Sequence, residues 1–152
     1  MIDKITALEA MQNQGRADAL DLRNRAAEMD GTAIIAEEEK VPQFDPQKDY
    51  SAWKVGAPVY EVIDGERQVF TLIQPYNAAN YSGAPSTLPA IWSIRHTKDP
   101  RKAKPWLAPN GTSGLYMTGE CCTANGAIYR STQDNNPYAP SAYPAWWEVV
   151  EV

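Results

Sequence analysis

The side chains able to run a reaction are few. Cys121, Cys122 and the lone His96 make up the whole supply of thiols and imidazoles in the 152 residues. Adjacent cysteines bridge each other only with a strained backbone, so both read as free thiols. One histidine and no second cysteine pair leave no zinc-ligand spacing, and any nucleophile-histidine mechanism would have to use His96. That residue sits in a basic stretch and is expected at the surface. Ser113, in Gly111-Thr112-Ser113-Gly114, lacks the flanking pattern of a nucleophile elbow and reads as a turn. No glycine loop fit to cradle phosphate occurs. Asp134-Asn135-Asn136 offers three oxygen-bearing side chains in a row, but calcium loops space their ligands at alternate positions, so a capped turn is expected. Glu120 and Glu148 would form a glycosidase pair only if the fold brought them together. The inventory points away from an enzyme and calls for no cofactor or metal.

Aromatic rings are the remaining chemistry. A pyranose presents an apolar carbon-hydrogen face and a polar rim, so exposed rings flanked by amides can hold sugars. All fifteen aromatic residues and all twelve prolines lie at or beyond Pro42. Residues 1–41 are instead rich in Ala, Asp, Glu, Leu and Arg. Two different physical objects meet there.

In the first object, Met1, Ile5, Leu8, Gln12, Gly15, Ala19, Leu22, Ala26 and Met29 follow steps of four and three, the spacing of one helical stripe. Gln12 and Gly15 weaken it, which predicts a break near residues 13–15. Asp30-Gly31 is the expected stop, with Gly31 in the left-handed conformation. This helix either packs on the chain's own domain or serves as an oligomerisation or docking arm. Residues 32–43 read as a linker whose Glu37-Glu38-Glu39 run forms a solvated face.

The second object repeats itself. Ala84-Pro85-Ser86-Thr87-Leu88-Pro89-Ala90-Ile91-Trp92 returns as Ala139-Pro140-Ser141-Ala142-Tyr143-Pro144-Ala145-Trp146-Trp147, identical at six of nine positions. Upstream, Phe70 to Gln74 followed by Asn77 matches Tyr129 to Gln133 followed by Asn136, and Trp53 to Gly56 matches Tyr116 to Gly119. The offset shrinks along the repeat from 63 through 61 and 59 to 55, as turns of unequal length allow. Each copy predicts a hairpin, over Ala57 to Ile63 and Gln68 to Ile73 around Asp64-Gly65-Glu66, and over Glu120 to Thr123 and Ala127 to Thr132 around Asn125-Gly126. Terminal strands follow at Ile91 to Ile94 and Trp146 to Val150. The fold expected is mostly β: two tandem small β-rich modules, 44–94 and 106–152, joined by a basic linker, 95–105, and preceded by an α-helical arm, 1–31. Units this small need to pack on each other or on another subunit.

Charge narrows the partners. Residues 1–45 hold five basic and ten acidic side chains while the rest hold nine of each, so the net charge of -5 belongs to the N-terminal segment. Such a balance repels nucleic acid. No apolar run approaches the roughly 20 residues that span a bilayer, and no secretory signal is visible.

The set Tyr116, Gly119, Gly126, Tyr129, Asn136, Pro140 and Trp147, present again as Trp53, Gly56, Gly65, Phe70, Asn77, Pro85 and Trp92, resembles the small carbohydrate-binding modules of bacterial chitinases and cellulases, families 5 and 12. The resemblance covers about two thirds of the chain, and similar modules behind a short helical arm occur on tail, baseplate and head-fibre proteins of phages and prophages. It implies sugar binding by exposed rings, with Trp53, Phe70, Tyr116 and Tyr129 as core supports. Rings found in the second copy and missing from the first are not required by a shared fold. These are Trp146 against Ile91, Tyr143 against Leu88, and Trp106, which has no clear partner. With Gln133 and Asn136 as polar contacts they form the candidate platform. The chain departs from chitin binders at Gln133-Asp134 and Gln74-Pro75, where those carry aromatics, which argues against chitin. The resemblance implies a non-enzymatic virion protein, homo-oligomeric and by analogy trimeric, attached to other virion proteins through residues 1–31 and meeting bacterial surface glycans. A purely structural decoration or adaptor protein, with the same rings buried at subunit contacts, is the alternative. An accessory module of a cell-wall hydrolase is the third reading.

Overall fold

In the computed structural model, residues 16–152 are described. The first half of the expected stripe, Met1 to Gly15, and the break at 13–15 lie outside the described residues. Residues 16–25 form helix α1. Its Leu22, and Ala26 just beyond it, are buried while Leu20 is exposed, as the three-four spacing requires. A 3-10 turn, Ala26–Glu28, ends the run at Met29.

Asp30-Gly31 starts a helix instead of stopping one. The Asp30 carboxylate accepts the Ala33 N–H at 2.8 Å and caps helix α2, Gly31–Ala36. Gly31 is not left-handed. It is needed because a Cβ there would run into the His96 carbonyl oxygen. Residues 32–43 are likewise no free linker. Ile34 and Ile35 are fully buried and join Leu22, Ala26 and Val41 against Val69. Each isoleucine contributes roughly 1.5–3 kcal/mol of transfer free energy, enough to fix a segment that is too short to be helical alone. The acidic run is paired as well as solvated: Glu37 meets Arg25 at 3.0 Å and Lys40 at 2.8 Å. The described part of the N-terminal segment is therefore packed on the first sheet.

Beyond it the protein is mostly β, in sheets of three and four strands. In the first, β1 (Pro58–Ile63), β2 (Glu66–Leu72) and β3 (Trp92–Ile94) are antiparallel neighbours. In the second, β4 (Lys104–Pro105) runs parallel to β5 (Cys121–Ala124), followed by antiparallel β6 (Ala127–Ser131) and β7 (Trp147–Val150). Ile63 pairs with Glu66 and Ala124 with Ala127, leaving two-residue turns. Asp64 and Gly65 have φ of 52° and 82°, Asn125 and Gly126 of 52° and 78°. Two consecutive positive φ values are the turn that matches strand twist, and Asp-Gly and Asn-Gly are the pairs that adopt it.

Backbone hydrogen bonds recur between the two sheets at the repeat's own offsets. Gly56 N–H donates to Leu72 O at 2.7 Å and Gly119 N–H to Ser131 O at 2.8 Å. Ile73 N–H reaches Ile91 O at 2.6 Å, and Thr132 N–H reaches Trp146 O at 2.9 Å. Thr87 N–H bonds Ala84 O as Ala142 N–H bonds Ala139 O. Trp92 and Trp147 close these sheets opposite Leu72 and Ser131. One correspondence differs from the sequence register. Tyr50, not Trp53, packs edge-on against Trp92 at 5.3 Å, as Tyr116 does against Trp147 at 5.1 Å. Trp53 stands half-buried beside Tyr50.

The stretch 95–105, expected as a solvated linker, is the joint of the molecule. Thr97 bridges Cys121, Gln68 Nε2 donates to Pro105 O at 2.9 Å, and Lys98 N–H donates to Thr32 Oγ1 at 2.9 Å. Lys104 Nζ lies 2.6 Å from Glu38 Oε2, so the basic stretch neutralises part of the acidic run. His96 is not at the surface. It is 6% exposed and stacked on Tyr116 with ring centroids 3.7 Å apart.

Candidate functional site

Groups capable of covalent chemistry are engaged in the fold. Both thiols are free and buried, and burial pushes Cys122 up to about 12. Burial also lowers His96 to about 4, and its Nε2 lies 3.1 Å from Gly114 O, which can only accept. Ser113 exchanges backbone bonds with Asn110 across the expected turn. Glu120 accepts the Met117 N–H at 2.7 Å, and burial raises its carboxyl above the ordinary range. Glu148 pairs across strands with Arg130 at 3.5 Å. Asp134 accepts the Thr118 N–H at 2.9 Å, which lowers its pKa, and Asn135 has φ of 53°, so the Asp134-Asn135-Asn136 run is a capped turn. Among the described residues no group of three or more His, Cys, Asp or Glu is placed to hold a metal.

The rings divide into two kinds. Trp92 and Trp147 satisfy their indole N–H groups internally, on Tyr76 Oη at 2.9 Å and Tyr138 O at 3.0 Å. Tyr138, Tyr143 and Trp146 form a separate triangle with centroids 5.1, 5.4 and 5.3 Å apart. The two tyrosines lie nearly parallel, 26° between planes, and Trp146 stands edge-on to both. Each tyrosine is 42% exposed, and Trp146 is half-buried against the Tyr116, Cys122 and Trp147 core. Neither tyrosine hydroxyl nor the Trp146 indole N–H has a hydrogen-bond partner among the described residues. The Pro144–Trp146 3-10 turn, held by Trp146 N–H on Tyr143 O at 3.2 Å, fixes two rings, and the Asn136 turn fixes the third.

The five residues expected at the site fare differently. Tyr143 and Trp146 come together, and Gln133 is exposed one residue beyond Thr132, whose N–H holds the Trp146 carbonyl. Asn136 cannot touch a ligand, being 0% exposed. Its Nδ2 donates to Ser131 Oγ at 3.0 Å and its Oδ1 accepts the Tyr138 N–H at 3.0 Å, so it is a turn residue. Asn77 accepts the Ala79 N–H in the same way. Trp106 packs half-buried against the second core with its Nε1 buried and unpartnered, outside the triangle. Its counterpart is Phe44: Phe44 N–H donates to Tyr60 O and Trp106 N–H to Thr123 O, each on the parallel side of its sheet. Tyr138 was not expected. At the offset of 55 it falls opposite Gly83, so the comparison that selects Trp146 and Tyr143 also selects it.

No helix among the described residues is long and apolar enough to cross a membrane. Comparison of the chain with protein-family models, with curated proteins and with solved structures finds no match.

Proposed function

We propose that the chain is a non-enzymatic attachment protein whose second sheet binds saccharide through Tyr138, Tyr143 and Trp146. The observation that carries this is the ring triangle itself: three clustered rings, partly open to solvent, whose polar tips have no hydrogen-bond partner among the described residues. Ring edges and the exposed tyrosine faces suit the apolar side of a pyranose, and two hydroxyls, an indole N–H and the nearby Gln133 amide suit its rim. The backbone hydrogen bonds that recur at the repeat's offsets support the resemblance to carbohydrate-binding modules. The role proposed with it is that of a head-fibre, decoration or tail component on the outer surface of a phage particle, held by its N-terminal segment. Pull-down on bacterial cell walls and a glycan array test it, using wild type and the Tyr143→Ala, Trp146→Ala double variant. Retention of the wild type alone is expected. No retention of either, or equal retention of both, overturns the reading.

A second reading, contact between subunits, has one observation in its favour. In the first unit the matching segment is covered: Pro85, Ser86 and Pro89 line a crevice of about 40 Å³ with Leu107 and Asn110, and Asn110 Nδ2 donates to Ser86 O at 3.4 Å. The equivalent Ser141 and Pro144 are exposed. If that surface is covered by another copy, the double variant lowers the native mass and leaves glycan retention unchanged.

A further inference from the structure

A second unassigned feature lies on the opposite unit and does not depend on the ring triangle. Between α1 and the first sheet runs a groove of about 480 Å³, within the size range of small-ligand sites. Arg16 and Arg23 line it from the helix, and Lys48, Asp45, Tyr50 and Trp53 from the segment leading into the sheet. We propose that this groove binds the anionic group of an acidic saccharide, a sugar phosphate or a sugar carboxylate, between Arg23 and Lys48.

Three observations converge. The first is charge. Three cations and one carboxylate line the groove, although residues 1–45 carry twice as many acids as bases. The carboxylate, Asp45, is already accepting the Gln47 N–H at 2.9 Å. The second is that no acid among the described residues forms an ion pair with Arg23 or Lys48. Two residues along the same helix, Arg25 is neutralised by Asp21 at 2.9 Å and Glu37 at 3.0 Å. Arg23 and Lys48 have no ion pair among the described residues, and their partner is one ring. The third is preorganisation. The Arg23 guanidinium carbon lies 4.4 Å from the Trp53 ring centroid and Lys48 Nζ 5.6 Å. Trp53 is fixed edge-on by Tyr50 at 4.6 Å, and Tyr50 is fully buried with its hydroxyl accepting the Asp45 N–H at 2.9 Å. A guanidinium stacked on an aromatic face keeps its N–H edge free for a bidentate oxyanion and loses little rotamer freedom on binding. A neutral sugar can accept hydrogen bonds from this edge but gains no charge pairing there. Trp53, expected as a core support, is on this view the platform that holds the two cations.

The test is an NMR titration of the full chain at low ionic strength, following the Trp53 indole N–H. Glucose 6-phosphate, glucuronate, inorganic phosphate and neutral glucose are the probes. Saturable shifts with at least one of the two charged sugars are expected, at least fivefold tighter than with glucose and weakened by added salt. Loss of one charge-assisted contact should weaken binding about tenfold in Arg23→Gln and in Lys48→Gln, and Arg101→Gln, on the joint, should bind as wild type does. Circular dichroism and the melting midpoint check that each variant is folded. A response to glucose 6-phosphate alone assigns a phosphosaccharide, and to glucuronate alone a uronate-type sugar. Binding of inorganic phosphate as tight as that of both sugars overturns the saccharide part. Absence of saturation, equal affinity for glucose, or unchanged binding in both folded variants overturns the whole.

Discussion

Acidification from pH 8 to pH 5 should cost the folded state about 2 kcal/mol through His96 alone. The imidazole is 6% exposed, stacked at 3.7 Å on Tyr116, and faces the Gly114 carbonyl, with Arg95 as the neighbouring charge. Desolvation lowers its pKa from 6.5 to about 4 in the folded protein. The sign follows directly. The unfolded chain takes up the proton first, so the stabilisation from a neutral His96 is complete above pH 6.5 and is lost as the pH falls toward 4. Linkage with those two values gives about 2 kcal/mol by pH 5 and about 3 kcal/mol in full. With a urea m-value of order 2 kcal/mol/M, the unfolding midpoint should fall by about 1 M between pH 8 and pH 5. His96→Phe keeps a ring on Tyr116 and removes the proton site, so its midpoint should stay nearly flat. Glu120 contributes with opposite sign, since its raised pKa favours the folded state at low pH, but it is common to both proteins and cancels in their difference. His96 is the only histidine, so no other imidazole contributes. Parallel loss of stability in wild type and His96→Phe would refute the assignment of a buried neutral imidazole at the joint.

Two further perturbations separate rings that serve the fold from those that do not, and a glycine needed for space from one needed for turn geometry. Trp147→Ala should destabilise by about 3–5 kcal/mol, because the buried indole packs on Tyr116 and bonds the Tyr138 carbonyl, whereas Tyr143→Ala should cost about 1 kcal/mol or less. Comparable losses in chemical denaturation would contradict the division. Gly31→Ala should cost about 1–3 kcal/mol, seen as a lowered melting midpoint, since its Cβ meets the rigid His96 carbonyl. The same change at Gly126, where a Cβ meets nothing within 4 Å, should cost only the strain of its φ of 78°, about 1–2 kcal/mol.

How far the sequence reveals this fold depends on whether the cause of each element is local. The hairpins were legible because Asp64-Gly65 and Asn125-Gly126 carry the turn geometry in their own chemistry. The offsets were legible because each marks a change of loop length between conserved strand contacts. Residues 30–43 were not. Their six-residue helix is stabilised by Ile34 and Ile35 on Val69, more than thirty positions away, while the adjacent glutamates resemble a solvent-facing run. Strand β4 was equally hidden, because two residues including a proline carry no strand signal, and their pairing with Cys122 and Thr123 comes from the tertiary arrangement. His96 was misjudged from its charged neighbours. Arg95 extends β3 through its N–H on Val69 O, and alternation along that extended chain turns the next side chain inward.

The site shows what a comparison of two copies can and cannot deliver. A ring present in one copy only is free of the fold's demands, and this reasoning found Tyr143 and Trp146, which the structure joins to Tyr138. Applied without exception it would have excluded Asn136, since Asn77 makes the same turn, and Trp106, since Phe44 occupies its place against the first core. Trp106 escaped because Phe44 lies one position off the prevailing offset of 63. The difference between the copies also has a spatial cause. In the first unit Pro85, Ser86 and Pro89 of the Ala84 to Pro89 segment face Leu107 and Asn110 across a crevice, whereas Ser141 and Pro144 at the matching positions are exposed. Among the described residues Tyr138 and Tyr143 stand exposed on this surface, where a ligand or a neighbouring subunit can reach them. Native mass and glycan retention, measured together on the Tyr143→Ala, Trp146→Ala variant, therefore decide between those two occupants without depending on the fold's other contacts.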